Sequence, residues 1–201
     1  MGGQSLATHG DDIWLTDFNN RSIWRYDISE GAFTEFPLSN LGPSDVAVDE
    51  TGLVWFADQV LVGPSTVQGV IGRLDPSDGS VTTFNVDGLP RAVSIATDGA
   101  VWFTERFTPQ GVGRLDPVTG ESTVFAVDGG PLDIAPATGG SMWFSRATAG
   151  NIARISPAGV ITAESKVVKG SEPFGITVAP DGGDPWFTML SADKIATLQL
   201  R

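Results

Sequence analysis

The sequence predicts an all-β fold, a β-propeller built from five four-stranded repeats, on three observations. A tryptophan followed by an apolar residue recurs at regular spacing along the 201 residues. Short segments rich in Val, Ile, Phe, Trp and Thr alternate with turns that contain Gly or Pro, as in β-sheet proteins. No stretch of a dozen residues keeps a helical period without Gly or Pro, so almost no helix is expected.

The tryptophans define the repeats. The Trp-apolar pairs begin at Trp14, Trp55, Trp102, Trp143 and Trp186, with spacings of 41, 47, 41 and 43 residues. Four-stranded units at this period are typical of β-propellers, in which each unit covers the faces of its neighbours. We expect one domain over residues 1–201, with repeats at about 4–38, 43–86, 90–127, 131–168 and 173–200.

The repeats depart from one another in order along the chain. The first has Trp24 where the others have Gly or Ala, which indicates an irregular blade boundary, a subunit contact or a solvated rim position. The second carries seven extra residues in QVLVGPSTVQG, either a lid or a loop without consequence. The third shows its strands as RAVSIAT, AVWFTE, GVGRLDP and STVFAV, and the fourth follows the same pattern.

The fifth repeat ends with KIATLQLR and has three strands. The outer strand of this last unit is expected to be an open edge, where strands of other chains can pair. The sequence therefore predicts self-association through that edge. The five-repeat count also fits either a shorter ring or part of a larger one.

Composition narrows the classes of function. The chain is 41% hydrophobic and 18% charged, as in soluble globular proteins, and no segment is long enough to span a membrane. Its net charge of −12 disfavours binding to nucleic acid. It has no cysteine and one histidine, His9, which excludes thiolate catalysis and His-rich metal sites. No secretory signal is seen at the N-terminus, so a cytoplasmic location is expected, with secretion left open.

Antiparallel geometry places the candidate site. The start of the first strand and the end of the second lie at the same end of each repeat, so loops converge there on a concave mouth that suits a small polar ligand. The predicted mouth residues are Ser44, Arg91 and Phe174 at first-strand starts, and Asp17, Asp58, Glu105 and Arg146 at second-strand ends.

These mouth residues allow more than one interpretation. Arg91, Glu105 and Arg146 either grip a carboxylate or other polar ligand or neutralise one another as rim ion pairs. Asp17 and Asp58 suit a hard cation with waters, although two carboxylates are not a complete ligand set. A second set of arginines occupies equivalent third strands and is expected to be structural or solvated: Arg25, Arg73, Arg114 and Arg154. His9 is expected at the opposite end, outside any catalytic site.

Four segments carry a family resemblance that covers essentially the whole chain. The segments are FTEFPL (33–38), VIGRLDP (70–76), DGAVWFTE (98–105) and EPFGITVAPDGGDPWFT (172–188). With them the sequence resembles the virginiamycin B lyase (streptogramin lyase) family. The resemblance implies a seven-bladed propeller that opens the ring of a streptogramin B antibiotic, a cyclic depsipeptide, by elimination at its ester bond with Mg²⁺.

The catalytic positions that the resemblance implies are mostly changed. The family has histidines directly after the Pro that opens the last blades, where this chain has Leu132 and Phe174. Of two family glutamates, one corresponds to Glu172 and the other to Leu190. Because Leu and Phe transfer no proton, the expected protein is a lyase-like propeller without lyase activity. The alternatives are an enzyme acting on a cyclic ester or lactone, a non-catalytic binding or scaffold propeller, and a truncated or engineered repeat protein.

Overall fold

The structure, a computed structural model, describes residues 3–63, 66–107, 109–166, 170–179 and 183–199. Within these residues the chain forms nineteen β-strands and two single 3₁₀ turns, at Thr138–Gly140 and Leu190–Ala192. The first eight strands are β1 (Gly3–His9), β2 (Asp12–Asp17), β3 (Ser22–Asp27), β4 (Ala32–Pro37), β5 (Asp45–Val48), β6 (Val54–Leu61), β7 (Val67–Leu74) and β8 (Val81–Val86).

The remaining strands are β9 (Pro90–Ile95), β10 (Val101–Glu105), β11 (Gly111–Leu115), β12 (Ser122–Ala126), β13 (Pro131–Pro136), β14 (Met142–Arg146), β15 (Asn151–Ile155), β16 (Ile161–Lys166), β17 (Pro173–Val178), β18 (Pro185–Met189) and β19 (Lys194–Thr197). In the described part of the chain, neither helical turn has the length or hydrophobicity that a membrane span needs.

The strands form five antiparallel sheets, each a meander of consecutive strands. These sheets are the blades of a β-propeller, which confirms the predicted fold class. Blades 1 to 4 are β1–β4, β5–β8, β9–β12 and β13–β16, and blade 5 has three strands, β17–β19, among the residues described. By its internal contacts the chain divides into two compact units, Met1–Val93 and Ser94–Arg201, with the boundary inside β9.

Tight turns connect the strands of each blade. In the TDGA segment, Gly99 has φ of 82°, a left-handed conformation that a side chain would strain. The turn is closed by bonds from Gly99 N to Ala96 O and from Ala96 N to Ala100 O. This is the tight hairpin that the Asp-Gly pair predicts.

Each blade has two faces of different composition. One face carries the repeat tryptophan, and we call it the Trp face; in blade 4 its paired residues are Ala135, Trp143, Arg154 and Ala163. The other carries the following apolar residue, usually Phe, and we call it the Phe face; in blade 5 it includes Ile176, Phe187 and Ala196.

The Trp face of one blade packs on the Phe face of the next. In the second unit, Trp143 and Ala135 of blade 4 share a core with Ile176, Phe187 and Met189 of blade 5. In the first unit the same arrangement joins Trp14 and Ala7 of blade 1 to Val46, Phe56 and Leu74 of blade 2. Burial against the neighbouring blade is therefore the main source of core in this fold.

The Phe face also explains the unusual Trp24. In blade 2, Gly72 lies opposite Phe56 in the register, and a Cβ there would clash with the Phe56 ring. In blade 1 the equivalent pair is Trp24 opposite Leu15. The smaller Leu15 side chain leaves room for the indole, which also packs edge-on against Phe33 at 6.3 Å between ring centroids.

Hydroxyl groups link neighbouring blades at the level of the second strand. Thr104 of blade 3 donates to the Leu132 carbonyl of blade 4 (3.0 Å), and Ser145 of blade 4 donates to the Phe174 carbonyl of blade 5 (2.7 Å). Ser145 also accepts from the Asp133 amide at 3.1 Å. In blade 2 the second-strand position is Ala57, and the Ser44 hydroxyl donates instead, to the carbonyl of Arg91 (3.1 Å).

Two carboxylates form a second link between blades. Asp45 accepts from the amide of Val93 at 2.8 Å, and Asp133 accepts from the amide of Ile176 at 2.7 Å. Val93 and Ile176 occupy the same place in their blades, the third residue after the opening proline. These bonds fix the first strands of blades 3 and 5, at whose starts the candidate site residues Arg91 and Phe174 lie.

Candidate ligand site

In each blade the start of the first strand and the end of the second lie side by side. Pro131 pairs with Arg146 in blade 4, and Pro173 pairs with Met189 in blade 5. In blade 1, Gly3 pairs with Asp17. We call this the mouth end of a blade. The alignment of the predicted residues around one common mouth stays a prediction.

Asp17 and Asp58 are both buried at the mouth end of the first unit. The Asp17 carboxylate accepts from the backbone and the side-chain amide of Asn20, at 3.2 and 2.8 Å. It thereby fixes the β2–β3 turn that carries Phe18, Asn19 and Arg21. Asp17 is a positioning residue for this turn.

A pocket of about 450 Å³ opens beside Asp58, entirely within the first unit. The β2–β3 turn contributes Phe18 and Arg21, and the β4–β5 connection contributes Asn40. The second strand of blade 2 contributes Asp58 together with the apolar side chains of Val60 and Leu61. A buried acid, a nearby base and apolar walls suit a small ligand that carries both charge and hydrocarbon.

The seven extra residues of blade 2 build one wall of this pocket. They lengthen β6 and β7 into a two-stranded arm, in which Gln59, Val60 and Leu61 pair with Gly69, Gln68 and Val67. Leu61 is 73% exposed at the outer part of the arm, and residues 64–65 lie outside the described residues. The insertion is thus an ordered extension of the blade up to Leu61.

Asp58 has an electrostatic environment that suits a cation. Burial raises the pKa of its carboxyl group, and hydrogen bonds from the amides of Gln59 (2.6 Å) and Gly42 (3.0 Å) act in the opposite direction. The positive charge of Arg21 also lowers this pKa. Among the described residues, neither Asp58 nor Arg21 takes part in an ion pair.

Arg21 has a constrained position at the rim of the pocket. Its backbone adopts φ of 55°, its carbonyl accepts from the Leu38 amide, and its guanidinium approaches Asn40 Oδ1 at 3.5 Å. A non-glycine residue in this conformation is uncommon and is held by its surroundings. The Arg21 side chain is exposed at this rim, and its charge acts on the Asp58 carboxyl.

Ser44 and Arg91, both predicted mouth residues, lie in the first unit and contact each other. The Ser44 hydroxyl lies 3.1 Å from the carbonyl oxygens of both Arg91 and Ala57, which share its one proton. The Arg91 side chain is partly exposed, and its charge offsets part of the rise that desolvation causes in the pKa of the Asp45 carboxyl. Ser44 is committed to holding the two blades together rather than to a ligand.

Arg146 is already neutralised by acidic side chains of the second unit. Its guanidinium forms ion pairs of 2.6 Å with both Asp128 and Glu164, and Nε donates to the Asp128 carbonyl. This ion-pair group lines a shallow pocket of about 560 Å³. Glu105, also of the second unit, is fully buried and presents no surface to a ligand. The ion-pair partners of Arg146 are thus Asp128 and Glu164, and the choice between a ligand grip and mutual neutralisation of the mouth residues stays a prediction.

Of the residues at the family's catalytic positions, the structure brings three close together. The Leu190 amide donates to the carbonyl of Glu172 at 3.1 Å, and Phe174 follows two residues later, 40% exposed. The Glu172 carboxylate accepts from the Ser191 hydroxyl at 2.6 Å, and its backbone has φ of 48°. Leu132 is buried in β13. Glu172 is thus the one ionisable side chain of the four.

The magnesium ion that the resemblance implies does not fit the residues present. No group of three or more His, Asp and Glu side chains suitable for a metal occurs within the described ranges. Asp17 and Asp58, the two candidate ligands, are two carboxylates and do not make up such a group.

The arginines of the third strands contact other parts of the fold, and His9 lies away from the mouth end. Arg73 lies over the Trp55 ring at 5.5 Å, Arg114 pairs with Asp98 at 3.2 Å, and Arg154 donates to the Thr138 carbonyl. His9 ends β1 opposite Asp12, at the end of blade 1 away from Asp17.

Comparison with known proteins agrees with this fold. A model of the virginiamycin B lyase family matches residues 4–201. The chain belongs to the virginiamycin B lyase family. Among functionally curated proteins, no sequence matches it.

Solved structures of virginiamycin B lyase from Staphylococcus aureus share the fold. One is 20% identical, with a TM-score of 0.65 over 99% of this chain and 84% of that one. A catalytically inactive histidine-to-alanine variant of the S. aureus lyase with quinupristin is 24% identical, with a TM-score of 0.66 over 99% and 80%. A gluconolactonase from Xanthomonas campestris is 17% identical, with a TM-score of 0.72 over 98% and 72%.

Sequence reasoning missed part of the pocket of this family member. Arg21 and Asn40 lie in turns outside the repeat landmarks, so no periodic pattern marks them. The available signal was the insertion itself, because extra residues at the mouth end of one blade must pack against the connections beside them. Phe18 and Asn19 follow the predicted Asp17 directly.

Proposed function

We propose that this chain is a ligand-binding member of the virginiamycin B lyase family that does not carry out the lyase reaction. Elimination needs a base to remove a proton and an acid to protonate the leaving group. At the family's catalytic positions, Leu132, Phe174 and Leu190 offer neither. Glu172 remains, and its carboxylate is held by Ser191.

The histidine content supports the same proposal. The S. aureus lyase variant that is catalytically inactive differs by one histidine-to-alanine substitution. The present chain has His9 as its single histidine, and that residue lies away from the mouth end of its blade.

The binding role rests chiefly on one observation, the buried Asp58 in the pocket of the first unit, which forms no ion pair with any residue that the structure describes. A ligand ammonium group placed beside Asp58 would replace part of the hydration that the carboxylate loses on burial. Arg21 provides a second charge for a ligand carboxylate, and Phe18, Val60 and Leu61 supply apolar contact. The ligand class is a small zwitterion or amine with an apolar part.

The catalytic half of the proposal is tested by incubating the protein with a streptogramin B and Mg²⁺ and searching for the linear product by mass spectrometry. We expect no product above the protein-free control. Turnover would establish the second candidate, a lyase acting on cyclic esters, which family membership favours.

The binding half is tested with three probes that share a phenylethyl group: L-phenylalanine, phenethylamine and 3-phenylpropionate. Calorimetry or NMR titration should rank them in that order, because only the first uses both charges. Asp58→Asn should remove the advantage of the amine probes, and Arg21→Gln should remove the advantage of phenylalanine over phenethylamine. Glu50→Gln, an exposed acid of the same unit, is the matched control.

Two results would contradict the binding role. One is equal binding of all three probes to the native chain. The other is an unchanged ranking in both variants. Because Asn can still accept one of the two amide bonds of Asp58, and Arg21→Gln leaves Asp58 intact, at least one variant is expected to stay folded, which far-UV circular dichroism checks.

A further inference from the structure

The connection between blades 1 and 2, residues 38–44, contacts both charged residues of the pocket in the first unit. The Leu38 amide donates to the Arg21 carbonyl at 2.8 Å, and the Gly42 amide donates to Asp58 Oδ2 at 3.0 Å. Between these two contacts, Asn40 lines the pocket and places its side-chain oxygen 3.5 Å from the Arg21 guanidinium. One short segment therefore brings a neutral polar side chain to the base and a backbone donor to the acid.

This connection has little conformational freedom. Leu38 is buried in the core of the first unit, and the Leu41 amide donates to its carbonyl at 3.0 Å, which closes a turn. Within the turn Ser39 has φ of 55°, the same left-handed value as Arg21. Residues with side chains rarely adopt this conformation, and surrounding contacts hold them in it. The turn thus fixes the backbone of Asn40 before any ligand binds, which lowers the entropy cost of binding.

The place of Asn40 is held by an acid in two other connections between blades. Counted back from the opening proline of the next blade, the third residue is Asn40 before Pro43, Asp87 before Pro90 and Asp128 before Pro131. Asp128 forms an ion pair of 2.6 Å with Arg146. An acid at this place in a connection can therefore neutralise an arginine of its own unit, which an asparagine cannot do.

Asn40 contacts Arg21 without removing its charge, because an amide oxygen carries no net charge. Among the described residues, Arg21 forms no ion pair and Asn40 Nδ2 donates to no protein acceptor. With Oδ1 toward the guanidinium, the NH2 group of Asn40 is left for a ligand. A guanidinium and an amide in contact offer N–H donors to the two oxygens of one carboxylate.

We propose that Asn40 is the specificity-determining residue of this pocket and holds a ligand carboxylate together with Arg21. The inference rests on the binding role proposed above and names the residue that makes the pocket select zwitterions over simple amines. An acid in place of Asn40 would pair with Arg21, as Asp128 pairs with Arg146, and would repel the ligand carboxylate. The pocket would then favour an amine that lacks a carboxylate.

The ratio of the affinities for L-phenylalanine and phenethylamine measures the carboxylate contact, and calorimetric titration of the full chain gives this ratio. Asn40→Ala should lower it about fivefold, the effect of one hydrogen bond to a charged group at an exposed site. Asn40→Asp should lower it further, to about one or less, while phenethylamine binds at least as tightly as to the native chain. Asn85→Asp makes the same exchange at an exposed position of β8, outside the pocket, and should keep the native ratio.

The outcomes separate this inference from the binding role itself. If the native chain binds both probes but Asn40→Asp keeps the native ratio, or has the same ratio as Asn85→Asp, the role of Asn40 is overturned and the binding role stands. Equal weakening of both probes in the Asn40 variants would mark a purely structural residue and would overturn the inference in the same way. A native chain that binds neither probe would overturn both.

Discussion

Blades 4 and 5 share the repeat landmarks of the second strand and differ in the burial of that strand. Both have a Trp-Phe pair on the second strand, followed by a hydroxyl residue, Ser145 in one and Thr188 in the other. In β14 the first four residues are all buried, whereas in β18 burial alternates along the strand. The repeat sequence therefore prepares each blade for a neighbour, and burial follows only where that neighbour is present.

The comparison predicts its largest effect at the tryptophans. Trp143→Ala should lower the free energy of unfolding by about 3–5 kcal/mol, because it removes a fully buried indole from the core between the two blades. Trp186→Ala should cost about 1 kcal/mol or less, since half-exposed side chains lose little burial. Urea unfolding at low protein concentration measures both. Equal costs would show that the face of blade 5 is covered in solution.

The hydroxyl residues should show the same difference on a smaller scale. Ser145→Ala leaves the carbonyl of Phe174 and the amide of Asp133 without their partner, which should cost about 1–3 kcal/mol. Thr188→Val keeps the shape and releases an exposed amide, so about 0.5 kcal/mol or less is expected. A Thr188→Val cost as large as that of Ser145→Ala would break the comparison.

The carboxylate link of Asp45, which has no counterpart at Gly175, should make stability depend on pH. Burial raises the pKa of Asp45, and hydrogen bonds from Ser5, Val93 and Val46 offset only part of that effect. The folded state therefore holds this proton more tightly than the unfolded chain. The contribution of Asp45 is fully present below the ordinary aspartate pKa of about 3.9 and is lost as pH rises through the folded-state pKa.

Asp45→Asn removes this titration. The free energy of unfolding of the variant should therefore rise relative to that of the native chain as the pH rises through that window. Urea unfolding at several pH values checks the trend. Asp27→Asn is a suitable contrast, because the Ser29 hydroxyl and the Glu30 amide lower the pKa of Asp27 and give the opposite slope. Parallel curves of stability against pH for the native chain and Asp45→Asn would contradict the raised pKa of Asp45.

An effect smaller than those of Trp143→Ala and Ser145→Ala is expected at the mouth end, where Arg146 of blade 4 corresponds to Met189 of blade 5. Arg146→Met should lower stability by about 1 kcal/mol or less, because its partners Asp128 and Glu164 are substantially exposed. The difference should shrink further in high salt, which screens such pairs. A salt-independent loss would instead point to packing of the arginine stem.

The repeat period was sufficient to predict the fold, because the spacing of the tryptophans reports directly on blade-to-blade packing. The site was harder for a physical reason. Asp17 and Arg146 were found from their place at the ends of second strands, but the same position holds a turn-fixing acid in one blade and a neutralised base in another. Which role a side chain takes depends on its partners in neighbouring turns, such as Asn20 and Asp128, and those turns carry no period.

The insertion in blade 2 shows the same limit, because the sequence reveals that it exists but not how its strands pair. Its length and place were visible in the spacing from Trp55 to Arg73, and so was its apolar character. That it would lengthen two strands in register, and so place Leu61 beside Phe18, depends on pairing across Gln59 and Gly69 that composition does not specify.

At the same two positions, blade 2 pairs Phe56 with Gly72 and blade 1 pairs Leu15 with Trp24. This difference constrains the order in which the two residues can be replaced. Replacing the glycine first drives an indole into an occupied ring, and replacing the phenylalanine first opens a void. Each single step is therefore expected to lower the stability of the protein. In blades 4 and 5 this place holds Ala153 and Ala196, opposite Phe144 and Phe187, so the phenylalanine accepts a methyl group where it does not accept an indole.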